Sequence, residues 1–417
     1  MDFLFSNMHI FFWKQLYCFM LLLMMSMASQ KLEVKRILSE SRRNPVKSIK
    51  SPDGDIIDCI HIAHQPAFDH LLLKNHTIQM APNYHPEILL DKSKMSNFEL
   101  QRKHHTRPIA QLWQLNGKCP KGTIPIRRTK KDDFLRARSI LRLPTGRLPR
   151  FRFRWRPRTA PVKNSATYEY AYAFVQSKEY LGTKATINLW QPQIDDEDQG
   201  GSSLSGVGVV GGPSTRELNS IEAGWIVNPE RFGDNRTRLY TYWTSDGYQS
   251  TGCYNLFCSG FVQTSNEIAL GASLSPTSVY NGSQYNISIL IWKDPDQTVW
   301  WLQYQNKTIG YWPTSLFKYL VHNASAIIWG GVVSNGKGDG LNTTTQMGSG
   351  HFPEEGYQRA SYFRNLQILN GSNTVVPPDM ITTVSNQPNC YGILLGNNTD
   401  WGDYFYYGGP GKNPKCP

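Results

Sequence analysis

The sequence predicts a mainly β protein: an antiparallel two-sheet β-sandwich, lectin-like in class, preceded by a small N-terminal domain. Three observations carry this. From Thr167 onward apolar and aromatic residues alternate with period two, as they do when strand faces are buried unequally. The alternating stretches are short and are separated by turn sequences. The 417 residues include 34 Gly and 25 Pro with 12% aromatics, a mixture that favours many strands over long helices.

Taken in order, the chain opens on a targeting segment. Lys14 is followed by the apolar run Leu16–Ala28, which ends in small residues. That is the length of a secretory signal core and short for a membrane span, so residues 1–28 read as a signal peptide. The apolar residues before Lys14 leave a signal anchor as the alternative. Residues 29–45 are polar and charged. Residues 46–126 read as a compact domain holding Cys59 and Cys119.

A basic linker follows over 127–161. Between Arg127 and Arg158 there are 13 Lys or Arg against Asp132 and Asp133, so this stretch supplies +11 of the net +12. The remainder is close to neutral, which argues against a folded nucleic-acid-binding face. Phe151, Phe153 and Trp155 alternate with Arg, but Pro144, Pro149, Pro157 and Pro161 make an exposed linker the simpler reading. The pairs Arg127-Arg128 and Lys130-Lys131 are expected to be open to processing proteases.

Residues 162–417 carry the strands. "TYEYAYAFV" sets Tyr168, Tyr170, Tyr172 and Phe174 on one face, and "YNISILIW" does the same for Ile287, Ile289 and Ile291. "KATINLW", "RLYTYW" and "TVWWLQY" read alike. "GGPS", "SDG" and "YNGS" mark turns, with Asp246 as a turn residue. "TSLFKYLVHNA" (314–324) has helical spacing at Leu316, Phe317, Leu320 and Val321 behind a Thr314 cap. "DDEDQGGSS" (195–203) reads as a surface loop.

Six Cys remain once Cys18 leaves with the signal: Cys59, Cys119, Cys253, Cys258, Cys390 and Cys416. An even count in an exported chain implies disulfides. Cys253 and Cys258 suit a local bridge better than half a metal site, since no second close pair follows. Nine Asn-x-Ser/Thr sequons, at Asn75, Asn235, Asn281, Asn286, Asn306, Asn323, Asn342, Asn370 and Asn397, fit a secreted glycoprotein. No HExxH, GxSxG or phosphate-binding glycine loop occurs, and no metal or other cofactor is expected. His61, His64 and His70 read as surface and packing residues, and Ser349 and His351 lie too close in sequence to imply a triad. That leaves carboxylates. Glu222 in "NSIEAGW" is a lone acid in an apolar strand, most simply on a solvated face. Glu354 and Glu355 in "GSGHFPEEGY" read as loop residues.

Several long stretches resemble one family: "SPDGDIIDCIHIAHQPAFDHLLLKNHTIQM", "CPKGTIPIRR", "NSIEAGW", "YWTSDGYQSTGCYNLFCSGFVQT", "GYWP", "TQMGSGHFPEEGY" and "YYGGPG". Over Val46–Pro417, apart from the enlarged basic linker, the chain is similar to the plant neprosin family in both its activation domain and its catalytic domain. The resemblance implies a secreted glutamic peptidase, a prolyl endopeptidase working in acid and made as a zymogen. It implies the disulfides Cys59–Cys119, Cys253–Cys258 and Cys390–Cys416. It also implies a catalytic dyad of two glutamates. The first falls on Glu222; the second follows a Trp-Gly-Gly. Here Trp329, Gly330 and Gly331 are followed by Val332, so the second acid is missing.

Amide hydrolysis by carboxyl groups needs one to take a proton and one to give it. Valine does neither, and it removes a like charge that would perturb Glu222. Being β-branched it suits a strand, so the fold should survive. The expectation is therefore a neprosin-like protein with weak or absent proteolysis. The alternatives are an active peptidase in which Glu354 or Glu355 completes the site, and a binding module whose Trp- and Tyr-rich cleft holds proline-rich peptide or cell-wall polysaccharide. Either way the product is expected outside the cell, in the cell wall, apoplast or vacuole.

Overall fold

A computed structural model describes residues 43–86, 110–129, 167–195, 200–335 and 342–417. The expected signal peptide and residues 130–161 of the basic linker, with the Lys130-Lys131 pair, lie outside the described residues.

The N-terminal unit is a small antiparallel sheet of β1 (Lys47–Lys50), β2 (Ile56–His61) and β3 (Thr123–Arg127), in that order. Ile49, Ile57, Cys59 and Cys119 form its buried side with Trp113. The Cys59–Cys119 disulfide ties β2 to the chain leading into β3, with Cα atoms 5.4 Å apart.

The larger unit is built on one long strand, β4 (Thr167–Asn188), which belongs to two layers. Its first half pairs with β13 (Ala324–Asn335) and β16 (Thr382–Ser385). From β13 the first layer continues through β5 (Ser202–Gly211), β6 (Asn219–Val227), β7 (Arg238–Thr244) and β8 (Cys253–Tyr254). The second half of β4 pairs with β10 (Asn286–Asp294) and β14 (Ser361–Asn370). From β10 the second layer continues through β11 (Val299–Tyr304), β12 (Lys307–Pro313) and β9 (Val262–Gln263). From β14 it continues through β18 (Gly402–Gly408) to β17 (Gly392–Asn398). The short β15 (Val375–Val376) pairs with β14. This is the expected β-rich architecture, with the expected turns at "GGPS", "SDG" and "YNGS" between strands.

The core lies between the layers. Trp225, Trp300, Trp301 and Trp329 are all fully buried, with Ile289, Ile291 and Val209. Indole N–H groups are satisfied across it: Trp225 Nε1 donates to the Asn188 carbonyl at 2.9 Å, and Trp329 Nε1 to Thr183 Oγ1 at 2.9 Å. The bridges Cys253–Cys258 and Cys390–Cys416 also form.

Two local readings are corrected. Residues 314–324 form only a 3-10 turn, Thr314–Leu316, before Phe317 turns extended. The Asn219 side-chain carbonyl accepts the backbone N–H of Lys318 (2.9 Å) and Tyr319 (2.7 Å), so these groups are satisfied without a helix. Leu316, Phe317 and Leu320 are apolar because they plug the core. The second correction concerns Ser202 and Ser203: read as loop, they are buried in β5.

The start of the basic segment also differs from expectation. Arg127 ends β3 as a buried residue, and its Nε donates to Asp55 Oδ1 at 2.9 Å. Arg238 Nη1 meets Asp55 Oδ2 at 2.6 Å, and Arg238 Nη2 meets Asp234 at 2.6 Å. Arg128 pairs with Asp58 at 2.6 Å. Of this dibasic pair, Arg127 is thus buried at the end of the N-terminal sheet, while Arg128 just beyond it is exposed. Asp55 bridges the two units, since Arg127 comes from β3 and Arg238 from β7. Around it, the Gln65 and Gln111 amides each make two hydrogen bonds with the backbone of Gln263 and Ala269, at 2.7–3.1 Å. The Asp294 carboxylate receives the N–H groups of Asn83 and Tyr84 at 2.9 and 3.1 Å.

Removing the shared carboxylate strands two buried guanidinium groups. Asp55→Ala is expected to cost about 3–5 kcal/mol, read as a lower urea midpoint for the full chain. A loss under about 1 kcal/mol, the scale of an exposed pair, would contradict the bridge.

Candidate active site

Strand register assembles the site on the first layer, on the face turned away from the core. Residues directly opposite one another in paired strands share a face. Glu222 is opposite Gly208 on β5 and Tyr242 on β7, and Gly208 is opposite Ile328 on β13, which is opposite Phe174 on β4. The next outward row reads Tyr240, Gly224, Gly206, Gly330, Tyr172. The row after that reads Arg238, Ile226, Leu204, Val332, Tyr170. Glu222 and Val332 therefore face the same side, and both are partly exposed. Position 332 lies two strands over and four residues along, roughly 10 Å by 13 Å from strand spacings.

The middle row explains its glycines. A Cβ on Gly206 would stand 2.5 Å from the Tyr240 hydroxyl, and one on Gly330 would stand 2.7 Å from Tyr172 Cδ1. The two tyrosine rings thus lie over the glycine strip from opposite ends. Tyr168, Tyr172, Tyr240, Tyr242 and Tyr254 come from both margins of the layer, yet the ionisation of Tyr254 bears on Tyr168, Tyr172, Tyr240 and Tyr242. The layer therefore curls towards this side. Its lining is tyrosine; the tryptophans expected there are core residues.

Glu222 sits in this lining with two hydroxyl donors. Ser220 Oγ donates to Oε1 at 2.8 Å and Tyr248 Oη donates to the same oxygen at 2.5 Å. Oε2 receives no hydrogen bond from a described residue, and no described carboxyl group bonds to Glu222. Burial raises the Glu222 pKa above the ordinary carboxylate value, and the bonds from Tyr248 and Ser220 only partly offset it. With valine at 332 no like charge from that position acts on Glu222, and removal from water is the largest cause of the rise.

Tyr248 was missed by the sequence reading, although its segment was singled out. It lies at φ 63°, a costly conformation for a bulky residue. Asp246, expected as a turn residue, holds it there. The Asp246 carboxylate accepts the N–H and hydroxyl of Ser250 at 2.8 and 2.6 Å, and those of Thr251 at 2.9 and 2.7 Å. Partial burial pushes the Asp246 carboxyl up, but these bonds hold it well below the usual range.

The other candidates lie elsewhere. Glu354 is exposed, in the 3-10 turn Pro353–Glu355. Glu355 is occupied by the Tyr280 hydroxyl and His351 Nδ1, both at 2.9 Å. That turn packs on β17 and β18 of the second layer, so neither acid reaches Glu222. His61 and His70 accept backbone N–H groups in 3-10 turns. No His, Cys, Asp or Glu cluster suited to a metal occurs among the described residues. Of the sequons, Asn75, Asn235, Asn281, Asn306 and Asn397 are exposed. Asn286, Asn323, Asn342 and Asn370 are partly buried, and Asn286 Oδ1 accepts the Tyr362 hydroxyl at 2.7 Å.

Chemically, this arrangement offers one proton-exchanging group, poised by burial, beside hydroxyls that hold their protons tightly. Because the Glu222 pKa is raised, the folded state binds the proton more strongly than the unfolded chain. Stability is thus lost as pH rises through the folded value. Glu222→Gln removes this dependence, so its melting temperature relative to the parent should climb from roughly pH 4 to pH 7; a flat difference counts against it. Asp246→Ala should lower stability by about 1–3 kcal/mol by freeing the loop's donors. Calorimetry of both proteins checks this, and an unchanged unfolding profile would show that Asp246 is no anchor.

Among solved structures, the chain is similar to a homodimeric agglutinin from chicken liver, at 10% identity over 38% of this chain and 92% of that one, with a TM-score of 0.22. A native glycosidic hydrolase matches at 10% identity over 40% and 78%, with a TM-score of 0.18. A β-porphyranase from the human gut bacterium Bacteroides plebeius matches at 12% identity over 42% and 54%, with a TM-score of 0.16. Superpositions this loose bear on neither ligand nor activity. Family models are more decisive: the neprosin activation peptide model matches residues 48–174, reaching into β4. The neprosin model matches residues 199–410, just over half of the chain, with Glu222, Tyr240, Tyr242, Tyr248, Tyr254 and Val332 inside it, and the chain accordingly belongs to the neprosin family.

Proposed function

We propose that this is a secreted neprosin-family protein whose tyrosine-lined cleft takes proline-containing peptide and hydrolyses it weakly or not at all. The observation that carries this reading is that, among the described residues, Glu222 is paired with hydroxyl donors alone, while the position across the glycine strip is Val332. Glu222 supplies one proton exchange. Tyr248 and Tyr240 keep their protons too firmly to serve as the acid, because burial pushes both hydroxyls well above their ordinary value. Tyrosine faces suit proline rings and sugars alike, so retention of wall polysaccharide without cleavage is the runner-up. An active acid prolyl endopeptidase would need another carboxyl group at Glu222, and Glu354 and Glu355 are remote from it.

On this reading the chain is exported by its signal peptide and carries glycans at exposed sequons. It is released from its activation region by cleavage beyond Arg128, within the basic segment. A glutamate at 332 would stand across the strip from Glu222 and would not touch it. Two such groups would flank a bound peptide.

Acid-treated full-length protein is assayed on a proline-containing peptide beside Val332→Glu and Glu222→Gln. The parent is expected near background, with Val332→Glu raising the rate by about 10²–10⁴-fold, the usual worth of one acid–base group. Clear parental turnover abolished by Glu222→Gln would overturn the reading.

A further inference from the structure

Among the described residues, one charged group on this side has no ion-pair partner. Asn228 precedes the short α1 helix (Pro229–Phe232) and caps it, its Oδ1 accepting the Arg231 N–H at 2.8 Å; Gly233 ends it in the left-handed region at φ 78°. This turn lays the Arg231 guanidinium on the Tyr254 ring, Cζ at 4.3 Å from its centroid, with Phe257 at 5.8 Å. Tyr254 is opposite Tyr242, and Tyr242 is opposite Glu222, so the cation stands over the same face as the acid.

Several of the described arginines find carboxylates. Arg127, Arg128, Arg236 and Arg238 each pair with an aspartate. Arg231 makes no ion pair, and no described residue accepts a hydrogen bond from its guanidinium. Its Nε is buried with no partner. The groups whose charge bears on it are Tyr254, Tyr242, Glu230 and Tyr168. Burial weakens its hold on the proton more than Glu230 and the neighbouring tyrosines strengthen it, so the charge stands at a net desolvation cost. Such a cation is pre-organised for a planar anion, and carboxylate is the group that a peptide brings.

We propose that Arg231 is a subsite for a carboxylate of the bound peptide, either an acidic side chain or a free C-terminus. This rests on reading the cleft as peptide-binding. Arg231 is a specificity-determining residue with no part in proton transfer. Stacking on Tyr254 fixes the guanidinium plane, and the peptide then supplies the acceptor that the fold withholds.

Two measurements on the full-length protein test this. In the first, the guanidinium ¹⁵N resonance of Arg231, assigned by its loss in Arg231→Lys, is followed during titration with glutarate and with neutral glutaramide. Movement with glutarate alone is expected. No movement with glutarate, or equal movement with both, overturns the subsite whether or not peptides bind. In the second, fluorescence anisotropy compares proline-containing peptides with Glu or Gln beside the proline, each as free acid and as amide. The parent should favour one carboxylate-bearing form by about 10–100-fold, the worth of a charged hydrogen bond. Which form wins separates side chain from terminus. Arg231→Gln should erase the preference, Arg231→Lys should keep part of it, and Arg231→Glu should turn it towards a Lys-bearing peptide. Preference unchanged in Arg231→Gln overturns the proposal. A carboxylate-sensitive Arg231 resonance with no peptide bound would leave the subsite standing and sink the peptide reading instead.

Discussion

Everything at the candidate site follows from one constraint: a single carboxyl group is held in an aromatic lining, with hydroxyls as its only hydrogen-bond donors among the described residues. Water is largely excluded from Glu222, so its proton is retained further up the pH scale than an exposed glutamate would allow. Ser220 and Tyr248 converge on one oxygen, and no described residue donates to the other. Poise therefore comes from burial, and it does not require a second acid. Turnover does require one, because the hydroxyls nearby are donors of hydrogen bonds and poor donors of protons.

The register makes the geometry legible. Three parallel rows cross the first layer, and the central one is glycine on β6, β5 and β13. Gly206 and Gly330 make room for the rings of Tyr240 and Tyr172, and Gly224 for the backbone of β5. Glu222 stands on one bank and residue 332 on the other. Partners on opposite banks act on a molecule lying between them, so replacement of one by valine removes a chemical function and leaves the packing and the first carboxyl undisturbed. A β-branched residue suits a strand, so this substitution costs the fold little.

The N-terminal unit is joined to this scaffold by polar contacts of unusual directness. Asp55 lies between an arginine from each unit, and two glutamine amides bind strand-edge backbone as a neighbouring strand would. Such contacts give a fixed orientation, and they are made of groups that water can satisfy once separated. Apolar contacts add to them, since Ala67, Leu73 and Ile124 join the main core and Ala269 and Ala272 pack with Ile49, Ile57 and Trp113.

By itself, the sequence determined the class of fold, because period-two alternation and turn residues are local consequences of a pleated, half-buried chain. It also marked Glu222, Val332 and the disulfide partners through family motifs, and it singled out the segment that carries Tyr248. It could not reveal that 314–324 packs without a helix, since apolar spacing there answers to a core supplied by distant strands and to the Asn219 side chain. Nor could it show that Arg127 is buried, as only the assembled sheet brings Asp55 to it. The raised proton affinity of Glu222, the remoteness of Glu354 and Glu355, and the unpartnered Arg231 were decided by tertiary structure alone. Desolvation and pairing depend on which residues meet across strands, and strand order joins parts of the chain that are far apart in sequence.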